Sequence, residues 1–186
     1  MATDEILLDV EERMEKTIDG LKSNLAGIRT GRANPGLVDS LKVDVYGSTV
    51  PIKQLASVGA PDPNQIVIRA YDPSTLKSIE KAIQASTLGL NPQIDGQVIR
   101  LNVPALSSDV RRNMVGRVHE LAEEARIAIR NVRRDGNKKA EQAEKAKEIS
   151  EDDRDAVKNE IQDLTKKFEG KIGELAKARE KEVLDS

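Results

Sequence analysis

All seven prolines of this 186-residue chain lie between Pro35 and Pro104. Proline has no N–H to donate and clashes with the turn before it, so it ends or kinks a helix. The flanks, residues 1–30 and 105–186, contain none and can form long helices; the middle, 31–104, cannot. Charge follows the same division. The middle carries 7 basic and 6 acidic side chains, the flanks 23 and 26. Mixed charge at that density is the composition of solvated helix faces with i,i+4 pairs. The chain therefore reads as α+β with two domains: 1–30 plus 105–186, interrupted by an inserted domain at 31–104.

Periodicity agrees. Leu7, Val10, Met14, Ile18, Leu21, Leu25 and Ile28 alternate between spacings of three and four, which predicts one helix over about 4–30. Val110, Met114, Val118, Leu121, Ala125, Ala128 and Val132 repeat the pattern in a second helix over about 107–147. A third starts at Ser150, with Asp153 placed as an Asp variant of the capping box, and carries Val157, Ile161, Leu164, Phe168, Ile172 and Leu175. Three apolar stripes need mutual burial, and an elongated three-helix bundle is the simplest solution. In the middle the period drops to two. Leu41, Val43 and Val45 alternate with polar neighbours, Gly47-Ser48 turns the chain, and 65–71 and 97–103 read as further strands. A helix over about 73–85, capped by Asp72, completes a small α+β domain. Thr30, Gly31, Pro35, Pro104 and Ala105 mark the two crossings and are the expected hinge.

Several function classes drop out. Without Cys there is no thiolate metal site or thiol nucleophile, and one His, His119, excludes a two-His metal motif within the chain. Tyr46, Tyr71 and Phe168 are the only aromatics, too few for a reader that stacks on bases. No phosphate-binding glycine loop and no catalytic motif is present, so no catalytic residue, metal or cofactor is expected and the chain is not read as an enzyme. His119 reads as an ordinary surface side chain, and Asp152, Asp153 and Asp155 as helix capping rather than a calcium loop. Negative mean hydropathy and an acidic start point to a soluble cytoplasmic protein with no membrane span or secretory signal.

One segment stands out from the mixed charge. Between residues 126 and 139 there are six basic side chains and one acid, Asp135. Stepping about 100° per residue puts Arg126, Arg130, Arg133 and Arg134 on one ridge, away from the apolar stripe. Arginine's planar fork suits bidentate phosphate contacts. Two readings are open at this point: a site for RNA or another polyanion, or pairing with acids of a neighbouring helix such as Glu11, Glu12 and Glu15. Arg29 and Arg32 form a second basic pair where the first helix meets its linker. In a simple antiparallel packing residue 29 falls near 107, which separates the two basic sites by about 35–40 Å.

Four motifs then converge: Ile28-Arg-Thr-Gly-Arg-Ala33, Ala85-Ser-Thr-Leu-Gly-Leu-Asn-Pro92, Arg130-Asn-Val-Arg-Arg-Asp135 and Glu148-Ile-Ser-Glu-Asp-Asp153. In order and spacing the sequence resembles the bacterial ribosome recycling factor family over essentially its whole length. The resemblance implies an L-shaped, tRNA-like protein, a three-helix bundle with an inserted small β/α/β domain, that works with elongation factor G and GTP to split the post-termination ribosome into subunits. It implies a bundle lying on large-subunit ribosomal RNA at the A/P-site region, with Arg29, Arg32, Arg130 and Arg133 in contact, and a hinged small domain that faces the elongation factor. Arg126 and Arg134 join the RNA-binding set through the ridge. GTP hydrolysis would belong to the partner. The protein is expected to be a monomer, since each stripe has partners within the chain. Gly136 stands where the family can carry Ala, and is expected to matter only for local helix rigidity.

Overall fold

A computed structural model describes residues 2–186. The chain forms two compact units: the N-terminal segment through Arg29 with Ser108–Asp185, and Thr30–Ser107 with Ser186.

The first unit is three helices, α1 (Ala2–Ala26), α5 (Ser108–Lys145) and α6 (Glu151–Leu184). At about 1.5 Å per residue, α5 and α6 run roughly 50–57 Å. Their core holds Val10, Met14 and Ile18 of α1, Val118, Leu121 and Ile129 of α5, and Val157, Ile161, Phe168 and Ile172 of α6. The stripes shift in detail. Ile6 rather than Leu7 is buried, Ile129 is fully buried, and Val110 is exposed. α5 packs against both other helices, so its buried face is wider than a two-per-heptad seam. α1 stops at Ala26, four residues short of the expected end, where Gly27 is a poor helix former.

The α5–α6 turn is closed from both sides. Glu148 N–H donates to the Ala143 carbonyl and Lys147 N–H to that of Glu144, each at 2.9 Å, with Lys147 at φ 60°. That is the bond pair of a Schellman motif, here with Lys in the left-handed position that glycine usually fills. On the other side Ser150 and Asp153 form the expected capping box, at 3.1 and 3.2 Å. Both devices satisfy helix-end groups and hold the reversal short.

The second unit contains α2 (Gly36–Asp39), the hairpin β1 (Lys42–Val45) and β2 (Ser48–Pro51), α3 (Ile52–Leu55), β3 (Ala56–Asp62), β4 (Gln65–Ala70), α4 (Leu76–Ala85), β5 (Pro92–Asp95) and β6 (Val98–Asn102). Strands β3 to β6 form one antiparallel sheet in the order β3-β4-β6-β5. Ile66, Ile68, Ile99 and Leu101 of the sheet share one core with Leu76, Ile79 and Ile83 of α4 and Val43 and Val45 of the hairpin. The hairpin turn is Tyr46-Gly47, both at positive φ, one residue earlier than the sequence suggests. Asp72 caps a 3-10 turn at Pro73–Thr75 that leads into α4. Strands β3 and β5 are additions to the sequence reading. Gly59, Pro61 and Pro92 break the alternation that would mark them.

Gly136 does more than loosen a helix. A Cβ there would lie 2.6 Å from Val10 Cγ2 and 3.0 Å from Ile161 Cδ1, so α1, α5 and α6 close on this glycine. Gly136→Ala gains up to about 1 kcal/mol of helix propensity but overpacks a β-branched neighbour, typically at about 1–3 kcal/mol. We expect net destabilisation, partly recovered in Gly136→Ala/Val10→Ala relative to the sum of the single changes. Urea unfolding of all four proteins of the cycle measures that coupling; strict additivity would contradict the close contact.

Candidate nucleic-acid interface

The basic segment of α5 is flanked by α1 on one side and α6 on the other. On the α1 side, Arg13 Nη2 donates to Asp135 Oδ2 at 2.9 Å and Lys139 Nζ to Asp9 Oδ2 at 2.8 Å. Arg13 also lies 3.9 Å from Asp9. The only acid of the segment is thus engaged by another helix. On the α6 side, Arg130 Nε donates to Glu169 at 3.3 Å, and Arg130 Nη1 lies 3.8 Å from Glu123. Arg126 lies 3.5 Å from Glu123, one turn back.

Arg133 and Arg134 have no ion-pair partner among the described residues, and Arg134 is exposed. Glu11, Glu12 and Glu15 do not pair with the ridge. They sit on α1, and the ridge points to the α6 side. Intramolecular pairing therefore accounts for Arg126 and Arg130 and leaves the other two arginines unneutralised.

Arg29 is exposed at the end of the first unit's opening segment and likewise has no ion-pair partner among the described residues. It borders a shallow groove with Arg117, Met114 and Leu121 of α5. Arg117 is already held by Glu120 at 3.0 Å and Glu124 at 3.6 Å. The pairs Arg13–Asp135 and Asp9–Lys139 fix an antiparallel register that sets residue 29 near 119, not 107. Along the helix, Arg29 is then only about 20 Å from Arg130 and Arg133. The expected 35–40 Å fails because α5 begins well past the end of α1. Sequence reasoning also missed Arg117, whose groove position follows only from that register.

Arg32 belongs to the second unit, where it is exposed. Thr30, Gly31, Pro35, Pro104 and Ala105 lie there too, and the unit boundaries fall at Arg29/Thr30 and Ser107/Ser108. Part of this segment is tied down: Ala33 N–H donates to the Pro63 carbonyl at 2.6 Å, and the Asn34 side chain accepts from Gly36 N–H at 2.9 Å at the start of α2. His119 is exposed as expected, but it has a partner in Glu180 of α6 at 3.0 Å.

Comparison with known proteins decides the family. The profile of the family described as ribosome recycling factor matches residues 21–184. The chain belongs to the ribosome recycling factor family. The ribosome-recycling factor of Nitratidesulfovibrio vulgaris is 48% identical over 185 residues, 100% of both chains, and that of Rhodopirellula baltica is 67% identical over 140 residues, 75% of each. A solution structure of a ribosome recycling factor superposes with a TM-score of 0.79 at 40% identity, covering 100% of this chain and 99% of that one. A second neighbour, with a TM-score of 0.65 at 43% identity and coverage of 99% and 100%, is the T. thermophilus ribosome recycling factor described with E. coli elongation factor G on the E. coli post-termination complex. Ribosome recycling factors are translation factors, and no helix among the described residues of this member is long and apolar enough to cross a membrane.

The charged network beside the ridge gives this family member a pH signature. The Lys139 hydrogen bond holds the Asp9 carboxyl below its ordinary value, helped by the charges of Lys139, Arg13 and Lys16 and opposed by desolvation. A carboxyl depressed in the folded state stabilises the fold above its unfolded pKa, and that contribution is lost as pH falls through the folded one. Asp9 is 41% exposed, so solvent screening keeps the contribution below about 1 kcal/mol. Asp9→Asn should lower stability slightly at pH 7, flatten the decline below about pH 4, and lose its effect in high salt. Urea unfolding across pH and salt reads all three.

Proposed function

We propose that this member of the ribosome recycling factor family binds the post-termination ribosome in the cytoplasm and, with elongation factor G and GTP, splits it into subunits. Its relative from T. thermophilus, described with elongation factor G on the post-termination complex, supports the choice of partners. The observation that carries the RNA-binding part is the unneutralised pair Arg133 and Arg134, left over after Asp135 is taken by Arg13. Arg29, also without an ion-pair partner, adds a second contact on the same unit. Guanidinium groups on a stiff helix suit A-form backbone, which is recognised by phosphate position and shape rather than by base edges.

The two units act as domains in this reading. The bundle unit, which ends its first segment at Arg29 and resumes over Ser108–Asp185, anchors on large-subunit ribosomal RNA through Arg29, Arg126, Arg130, Arg133 and Arg134, and Arg32 adds a contact from the inserted domain. Thr30, Gly31, Pro35, Pro104 and Ala105 form the hinge through which the elongation factor's push is received. Phosphoryl transfer is left to the elongation factor, so the chain contributes no catalytic residue. Long helices transmit such a push well, because their hydrogen bonds run along the axis and their core is continuous.

Arg133→Ala should weaken ribosome binding and reduce the slope of log affinity against log salt by roughly 0.7–0.9, the signature of one lost phosphate contact. Co-sedimentation over a salt series measures both; an unchanged slope would remove Arg133 from the interface. Light scattering with elongation factor G and GTP follows subunit release directly, and the same variant should slow it. If the unsubstituted protein gave no acceleration over elongation factor G alone, the recycling function itself would be wrong.

A further inference from the structure

α1 ends at Ala26 with no basic residue in its last turn. The final carbonyls of a helix lack intrahelical donors and carry partial negative charge. Arg179, late in α6, supplies what α1 lacks. Its Nη2 donates to the Ile28 carbonyl at 2.6 Å and reaches the Ala26 carbonyl at 3.4 Å. Its Nη1 donates to Glu182, one turn further along α6. The side chain is only 21% exposed, and its Nε is buried with no hydrogen-bond partner among the described residues. Burying that N–H is unfavourable, so the carbonyl bonds and the Glu182 pair must offset it.

The Ile28 carbonyl shares its planar peptide unit with the Arg29 N–H. Holding that oxygen restrains the plane, and with it the positions of the Arg29 N–H and Cα from which its side chain departs. Ile28 is itself buried, so the anchor is held from both side chain and main chain. Arg29, the next residue, is exposed.

We propose that Arg179 is a positioning residue: it holds the exit of α1 so that Arg29 is aimed at a ribosomal RNA phosphate, and does not touch the RNA itself. Its fork is already committed, one Nη to a carboxylate and the other to two carbonyls, which leaves no open edge for a bidentate phosphate contact. This rests on the reading of Arg29 as an RNA contact.

The test is ribosome affinity over a salt series for the unsubstituted protein, Arg29→Ala, Arg179→Met, Arg179→Lys and the Arg29→Ala/Arg179→Met double variant, with amide exchange at Arg29 and Thr30. Arg29→Ala should weaken binding about tenfold and lower the salt slope by roughly 0.7–0.9. Arg179→Met should reproduce both losses and speed exchange at the two amides, and Arg179→Lys, which keeps a cationic donor, should restore most of each. The double variant should lose no more than Arg29→Ala alone. Arg179→Gln, too short to reach the carbonyls yet polar, replaces Arg179→Met if that protein does not fold. A further loss of slope in the double variant would make Arg179 an RNA contact and overturn the proposal. So would normal binding by Arg179→Met while Arg29→Ala is impaired. Normal binding by Arg29→Ala would instead remove the underlying reading of Arg29.

Discussion

The register between α1 and α5 is the constraint on which the basic site depends. Gly136 admits Val10 and Ile161 to a distance no side chain would allow, and the pairs Asp9–Lys139 and Arg13–Asp135 bracket that contact. Packing and charge therefore specify the same alignment. A slip of one heptad would drive a Cβ-bearing residue into Val10 and break both pairs. The consequence reaches the surface: because Arg13 draws Asp135 toward α1, Arg133 and Arg134 keep their charge on the other side of the same helix. An apolar contact in the core thus shares its register with the pair that takes Asp135 away from its neighbouring arginines.

The parts of the fold that the sequence announced are those governed by local rules. Prolines confined to 35–104 excluded long helices there, and Ser150 with Asp153 marked the start of α6. The register was not legible in this way. Heptad stripes look alike at every turn, so the apolar residues of α1 and α5 do not distinguish residue 29 opposite 107 from residue 29 opposite 119. The signal that could have done so was the complementary spacing of Asp9 and Arg13 with Asp135 and Lys139, four residues apart on each helix. Strands β3 and β5 were hidden for the opposite reason. Gly59, Pro61 and Pro92 weaken local strand character, and pairing with β4 and β6 overrides it.

The arginine ridge was legible, but its division of labour was not. Periodicity placed Arg126, Arg130, Arg133 and Arg134 on one face. Only the structure separates those that already have carboxylate partners from those that do not. Glu123, three residues before Arg126, is a neighbour that helical spacing shows, but Glu169 reaches Arg130 from α6 and depends on how the two helices are aligned.

If the ridge meets RNA as proposed, those two glutamates also bear on how a chain of net charge −2 would select it. The Arg126 and Arg130 pairs are solvent-exposed, with partner side chains 34–54% accessible, and such pairs are worth only a few tenths of a kcal/mol to about 1 kcal/mol. Exchanging a glutamate for a phosphate is therefore close to neutral where the phosphate can be reached without bringing a second one against the displaced carboxylate. A surface whose phosphates are placed otherwise meets Glu123 and Glu169 as repulsive charges. On the proposed reading Arg133, Arg134 and Arg29 would supply attraction at no such exchange, and the paired arginines would then distinguish a matched arrangement of phosphates from an arbitrary one. Specificity of this kind needs no aromatic platform. It uses acids placed beside bases, and in this chain both come from long, rigid helices that hold the spacing.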